Sequence, residues 1–361
     1  MIKPWALACT FALSLPASLA LAAAPGGTLQ AVAEFGARQP VGVTFSEQGR
    51  LFLTFPRQSG AKEFRYAVAE IVDGQERPYP NAAWNTYRAD QPADHFMNAH
   101  AVVAQGDKLW VLDSASPAPG GPAQSSMKLL RIDLGSAQVE RVYRFEDIDQ
   151  GSTALNDVRI DPRRNLAYLS DPKRAAIVVL DLKTGTTRSV LAGQTVTRAE
   201  PGYRLHIDGQ DVVDAEGKPF SSDVNGIALT ADGQWFYFRA INQDYLYRVA
   251  TADLANPALS DTQLASRVER VAKVGVSHGM LADQAGNVYL SDSIHYAVNR
   301  WSPDGSVTRL VSDPRLSWPD TFALDPAGNL YLTAAQLNRT GKYSATDRTE
   351  YPYRLYKVVS P

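Results

Sequence analysis

The pattern that most limits this chain is a two-strand motif that occurs six times. In each copy an apolar run, a tight turn and a second apolar run follow one another. The copies are Gly42–Phe55, Ala101–Asp113, Asp157–Asp171, Asn225–Phe238, Gly279–Asp292 and Thr321–Thr333. In the fourth, Ala231-Asp232-Gly233 separates the two runs, and Asp-Gly supplies the φ > 0 conformation that a tight hairpin turn needs. An isolated hairpin is marginal in water, so six copies imply a shared architecture. The copies begin roughly 40–70 residues apart, and recurrence near this length marks propellers and solenoids.

The second run of each motif is almost wholly apolar, as in Leu51–Phe55 and Leu330–Leu332. Such a run suits a strand buried on both faces. A second amphipathic pair follows each hairpin: Met127–Leu134 with Gln138–Phe145, Ala176–Leu182 with Thr187–Leu191, and Ala297–Ser302 with Val307–Val311. Two hairpins per repeat predict four-stranded antiparallel blades. Six repeats predict an all-β chain, a six-bladed β-propeller. Leu29–Phe35 precedes the first hairpin and has no blade of its own. It is expected to join Tyr353–Val358 as the outer strand of the last blade, closing the ring and removing open edges.

Three insertions interrupt the repeats. Residues 194–224 are polar and Gly-rich, with a small hairpin expected at Asp208-Gly209. Thr251–Arg270 carries Leu254, Leu259, Leu264 and Val268 at helical spacing, with Ser260-Asp261 as its cap, and predicts a short helix outside blade four. Arg339–Pro352 is a polar loop within blade six.

Residues 1–23 read as a cleaved signal peptide: Lys3, an apolar stretch from Trp5 to Leu15, then small residues around Ala22. Residues 24–361 then form a single propeller domain, expected to be secreted or periplasmic. Cys9 is the only cysteine, so the mature chain is expected to fold without disulfides. No later segment is long and apolar enough for a membrane-spanning helix. With 36 basic and 38 acidic residues and no basic stripe, nucleic acid is not an expected partner. The expected state is a monomer with a small-molecule ligand, free of the membrane after cleavage.

In such blades the first strand starts and the second strand ends on the same face of the disc. The polar residues collect there, while the tight turns Gln48-Gly49, Ala231-Asp-Gly233 and Ala285-Gly286 fall on the other face. Convergent polar groups at a concave mouth are the usual place for a ligand. The candidate ligand-binding residues are Asn98, Asp113, Asn156, Asp171, Asn225, Asp292, Asp320 and Gln336. Asn and Asp at strand ends also serve as ordinary turn hydrogen-bonders. His95, His100, His278 and His295 fall on the same face, and His206 lies in the first long insertion. His100 and His278 are the candidate catalytic residues, as general acid or base. No cofactor is expected: Asn156, Asn225 and Asp320 offer at most a weak Ca²⁺ site, with one carboxylate among the three. The sequence has no H-E-x-x-H, G-x-S-x-G, P-loop or dinucleotide fingerprint.

Several segments resemble the yellow / major royal jelly protein family. They are Arg50-Leu-Phe-Leu-Thr-Phe-Pro-Arg57 with Pro78-Tyr-Pro-Asn-Ala-Ala-Trp84, Leu109-Trp-Val-Leu-Asp113 with Leu129-Leu-Arg-Ile-Asp-Leu134, Asn225-Gly-Ile-Ala-Leu229, and Trp318-Pro-Asp320 with Gln336. The resemblance implies a secreted six-bladed propeller. It also implies roles such as dopachrome conversion, biogenic-amine binding, and nutritive or lipid-carrying functions. Insect members often carry a cysteine before the Leu-Trp-Val-Leu-Asp motif. Here Gly106-Asp-Lys108 stands in its place, as in a bacterial-type member without that disulfide. The chain is more distantly similar to gluconolactonase-like propellers, in which a Glu, two Asn and an Asp surround a divalent metal. Asn156 and Asn225 occupy comparable places, but Gln39 stands about where the Glu would be and His278 about where the Asp would be.

The expected function is therefore an exported propeller that binds a small aromatic or amine-bearing molecule at its polar mouth. The alternative is an enzyme: a dopachrome-tautomerase-like isomerase using a rim histidine, or a divergent gluconolactonase-like hydrolase with a weak divalent metal site.

Overall fold

The structure is a computed structural model that describes residues 26–57, 64–115 and 126–359. The expected signal peptide lies outside the described residues. Among the described residues, no helix is long and apolar enough to cross a membrane.

The chain builds six four-stranded antiparallel sheets, each ordered from the channel outward. Blade one is Val43–Phe45, Leu51–Thr54, Val68–Val72 and Gln75–Pro78. Blade two is Ala99–Gln105, Lys108–Asp113, Lys128–Asp133 and Val139–Tyr143. Blade three is Val158–Asp161, Leu166–Asp171, Ala176–Asp181 and Thr187–Val190. Blade four is Val224–Leu229, Trp235–Ala240, Tyr245–Ala250 and Glu269–Lys273. Blade five is Met280–Ala282, Val288–Asp292, Ala297–Trp301 and Val307–Ser312. Blade six takes Pro319–Leu324, Leu330–Ala334 and Arg354–Val359, then Thr28–Glu34 as its outer strand. The ring closes as the sequence predicts, with Leu29 opposite Val358 and Glu34 opposite Arg354.

The apolar second strands show why six copies make one ring. Alternate residues of a strand point to opposite faces. Leu53 packs back toward blade six with Ala323 and Leu355, while its neighbour Phe52 packs forward with Leu109 and Val111 of blade two. In blade three Leu169 faces Trp110 and Leu112, and Tyr168 faces Phe236 and Phe238. Clusters of the same kind join blades four to five through Tyr237 and Trp301, and five to six through Val298 and Leu332. Each large side chain so buried contributes about 1.5–3 kcal/mol. The core is thus six wedges between blades.

One insertion follows the sequence reading and one is refined. The expected hairpin is present as His206–Ile207 with Gln210–Asp211. The predicted helix over Thr251–Arg270 is instead two short helices, Thr251–Leu254 and Asp261–Ala265. Ser260 forms a capping box with Gln263 on the second. Asn256 to Leu259 interrupt the run, and Glu269 and Arg270 already belong to the outer strand of blade four. Leu254 and Leu264 are buried against the wedge between blades three and four, as their spacing requires.

At the mouth, adjacent first strands approach too closely for a side chain. A Cβ on Gly279 would lie 1.4 Å from the carbonyl oxygen of Asp320, and one on Gly226 would lie 2.5 Å from that of His278. Replacing Gly by Ala in a strand normally stabilises by about 0.5–1 kcal/mol. For Gly279→Ala the expected outcome is the reverse, a loss of about 2–4 kcal/mol in urea unfolding, because the blade-six backbone must move.

Candidate functional site

The mouth face opens into a cavity of about 520 Å³ over the channel, within the usual range for small-molecule sites. Gln39, Asn98, His100, Asn156, Asn225, His278 and Asp320 line it, all at or just before the start of a first strand. Hydroxyls at the ends of second strands fix these starts. Thr54 accepts the Gly42 N–H (2.8 Å) and donates to the His100 carbonyl of the next blade (2.6 Å). Thr333 accepts the Thr321 N–H and donates to the Val41 carbonyl across the ring closure. Ser291 accepts the His278 and Gly279 N–H groups, and Ser170 accepts that of Asp157.

Six of the ten residues singled out from sequence meet in this cavity: Asn98, His100, Asn156, Asn225, His278 and Asp320. The other four do not line it. Asp113 is buried against Lys128 (2.9 Å) and accepts the Met97 and Asn98 N–H groups. Asp171 accepts the Ala154, Lys173 and Arg174 N–H groups and so holds the loop that carries Asn156. Asp292 takes His295, Asn299 and Arg309. Gln336 clasps the backbone of Glu350 through both amide atoms. In all four the strand-end side chain is used by neighbouring backbone or side chains. Asp113 and Asp171 are positioning residues for Asn98 and Asn156. His95 bonds the Ala83 carbonyl, and neither it nor His295 reaches the cavity.

The polar groups deepest in the cavity lack protein partners. Among the described residues, the side chains of Asn156, Asn225 and Asp320 make no hydrogen bond, and both ring nitrogens of His278 are buried without one.. Burial pushes the Asp320 carboxyl up to about 7, aided by the negative charge of Asp157. Burial pulls His278 down to about 3, reinforced by the Arg239 guanidinium. His100 is lowered mainly by burial, against opposing effects of the Asn156 carbonyl and Asp157. Its Nδ1–H donates to that carbonyl (3.2 Å), which leaves Nε2 as an acceptor. At neutral pH both histidines are uncharged, and Asp320 exchanges its proton most readily. Beneath them Arg159 donates to Asp157 (2.8 Å) and closes the channel to a narrow waist.

One wall is aromatic. His278 stacks on Trp318 with ring centroids 4.0 Å apart. Trp318 holds φ 54°, unusual for a bulky residue and of the kind that clusters at ligand sites. Phe220, from the long insertion, packs edge-on against Trp318 and Tyr343. The insertion therefore forms part of the mouth, with Leu205, Ile207 and Val212 packed near Ile241 and Val276. Sequence reasoning left this open. The available signal was Phe220, an aromatic in an otherwise polar stretch. Arg239, at a second-strand exit on the polar face but not among the candidates from sequence, occupies the position held by Thr54, Ser170, Ser291 and Thr333 elsewhere, and is wholly buried. Among the described residues, its guanidinium bonds only the carbonyls of Ala240 and Gln243.

The residues fit a divalent metal poorly. The convergent oxygens come from two amides and one carboxyl, with the nearby Asp157 carboxylate already paired to Arg159. Calcium requires six to eight oxygens, with carboxylates prominent among them. Among the described residues, no three His, Cys, Asp or Glu side chains gather to hold an ion.

The Asp320 carboxyl binds its proton more tightly folded than unfolded. Between its unfolded pKa and about 7 the native state therefore carries the extra proton, and stability falls as pH rises through this window. Asp320→Asn is expected to be more stable than the parent at pH 8, by up to about 2–4 kcal/mol, with the gap closing toward pH 4. Urea unfolding of both proteins across pH 4–8 checks this.

Comparison with known proteins agrees with this architecture. Among solved structures, a gluconolactonase from Xanthomonas campestris superposes with a TM-score of 0.54 at 14% identity, covering 92% of this chain and 89% of the other. A calcium-binding regucalcin from Agrobacterium tumefaciens gives 0.53 at 14% identity, over 91% and 93%. A luciferin-regenerating enzyme gives 0.55 at 12% identity, over 92% and 95%. At these identities the likeness is one of fold. No curated protein matches significantly. The family profile described as Major royal jelly protein matches residues 99–358, well over half of the chain, and the chain belongs to that family.

Proposed function

We propose that this protein is exported and binds a small aromatic molecule at the mouth of its channel. The observation that carries the reading is the set of unpartnered side chains of Asn156, Asn225, Asp320 and His278 in one cavity, beside an aromatic wall. The buried ring nitrogens of His278 cost free energy, about 1–3 kcal/mol each, unless a ligand or water supplies the missing bonds, and the half-buried Asn156, Asn225 and Asp320 are accessible to the same ligand. Asn225 and Asn156 offer both donors and acceptors, and neutral His278 adds an acceptor. Asp320 accepts from an O–H or N–H once ionised. Trp318, Phe220 and Tyr343 provide the apolar contact. An amine-bearing ligand suits the site because its positive charge favours the ionised form of Asp320.

Proton transfer within the same mouth is the second reading. The observation favouring it is Asp320, an unpartnered carboxyl poised near neutral pH, where general acids and bases work best. His278, held neutral and weakly basic, fits an acceptor role better than that of the base expected from sequence. A metal-dependent lactonase reaction finds no suitable donor set here.

Calorimetry against catecholamines, indoleamines, dopachrome and small lactones tests both readings. The expected result is saturable binding of an aromatic amine, weakened about tenfold or more by Asn225→Ala, as befits loss of a buried hydrogen bond. Affinity for a cationic ligand should rise as pH increases through about 7 and then level off, because Asp320 must give up its proton. Turnover of dopachrome that is lost in Asp320→Asn would favour the second reading. Absence of binding across the panel would remove support for both.

A further inference from the structure

The opposite end of the channel holds a second chamber, of about 300 Å³. All six first strands contribute to it, and its rim carries the tight-turn residues Gln105, Arg163, Ala231 and Gln284. Its walls are chiefly apolar: Phe45, Val103, Leu229, Leu281 and Leu324 each line it and remain only half-buried. Each also packs with its other side on a wedge between blades, so the walls are fixed by the core.

Arg159 forms the floor and lines both this chamber and the waist below the mouth. Its Nη1 donates to Asp157 (2.8 Å) and to the Val158 carbonyl (2.7 Å), and Nη2 donates to the Met280 carbonyl (2.8 Å). Its Nε–H is buried and has no hydrogen-bond partner among the described residues. The guanidinium thus separates the two chambers and presents one unused donor, while its charge is already matched by Asp157.

We infer that this chamber is a second binding site, for a compact, neutral, mostly apolar molecule with one acceptor oxygen directed at Arg159. Neutrality follows from the ion pair. Arg163, the other cation of the lining, is exposed on the rim, so a carboxylate held at the depth of Arg159 would lose its hydration without gaining an unmatched cation, which is unfavourable. A ketone, alcohol or ester oxygen would satisfy the buried Nε–H at little desolvation cost. The volume lies at the small end of ligand sites, which selects a ring-sized molecule over a long acyl chain. This inference is independent of what the mouth binds.

The probes are camphor, a compact cyclic ketone, and cyclohexanecarboxylate as its anionic counterpart. Binding to the full mature chain is read by methyl-resolved NMR titration at neutral pH. The expected result is saturable camphor binding that shifts the methyls of Val103, Leu229, Leu281 and Leu324 and leaves Ile241 and Leu337 at the mouth unmoved. The carboxylate should bind at least tenfold more weakly. Leu281→Trp fills the chamber and should weaken camphor at least tenfold; Val103→Trp, from a different blade, gives the same reading if the first variant does not fold. No saturable camphor binding, shifts confined to the mouth methyls, or equal affinity for the carboxylate would each overturn the assignment.

Discussion

Everything in this molecule depends on the second strand of each blade being buried on both faces. A strand with one apolar face can end a sheet or cover a core. A strand with two must sit between neighbours, and six such strands find neighbours on both sides only in a closed ring. Leu53 and Phe52 serve blades six and two at once; Leu169 and Tyr168 serve blades two and four. The channel, its two chambers and the polar mouth all follow from that packing. The hydroxyls of Thr54, Ser170, Ser291 and Thr333 then set the exact height at which each first strand begins.

The same second strands explain what was legible from sequence. Their unbroken apolar runs and the turns beside them gave the blade count, the strand pairs and the ring closure. The face that would carry polar groups was also legible, because strand direction alternates. Which of those groups would be free was not. Asp113 and Asp171 look like Asp320 in a one-dimensional reading, all three standing at strand ends. Their difference lies in which backbone N–H groups point at them: three each for Asp113 and Asp171, none among the described residues for Asp320. Nor could spacing show that residues 203–220 fold back toward Trp318, since that contact joins blade four's approach to blade six.

The mouth gathers its unusual features along blades four to six. Arg239 replaces a hydroxyl, the ring nitrogens of His278 have no hydrogen-bond partner among the described residues, Trp318 takes a left-handed conformation to stack on the imidazole, and Gly279 lets the backbone of Asp320 come into contact. Each departs from what local preference would choose. Together they hold a neutral imidazole, a proton-exchanging carboxyl and an indole in fixed relation, while blades one to three supply amides. The chain belongs to the royal jelly family and shares its fold with a gluconolactonase and a regucalcin, and a shared fold does not by itself fix the chemistry at the mouth.

The pairing of Leu29 with Val358 has a consequence for how the chain reaches its native state. The segment synthesised before any blade pairs with the segment synthesised after all of them. Blades one to five can form as hairpins emerge, but the first strand stays without its partner until the last one is made. The contact spans nearly the whole sequence, so its loop-closure cost falls late and on one step. Until then both ends of the ring present unpaired strand edges, and the stretch from Thr28 to Glu34 is the segment a chaperone would have most reason to shield.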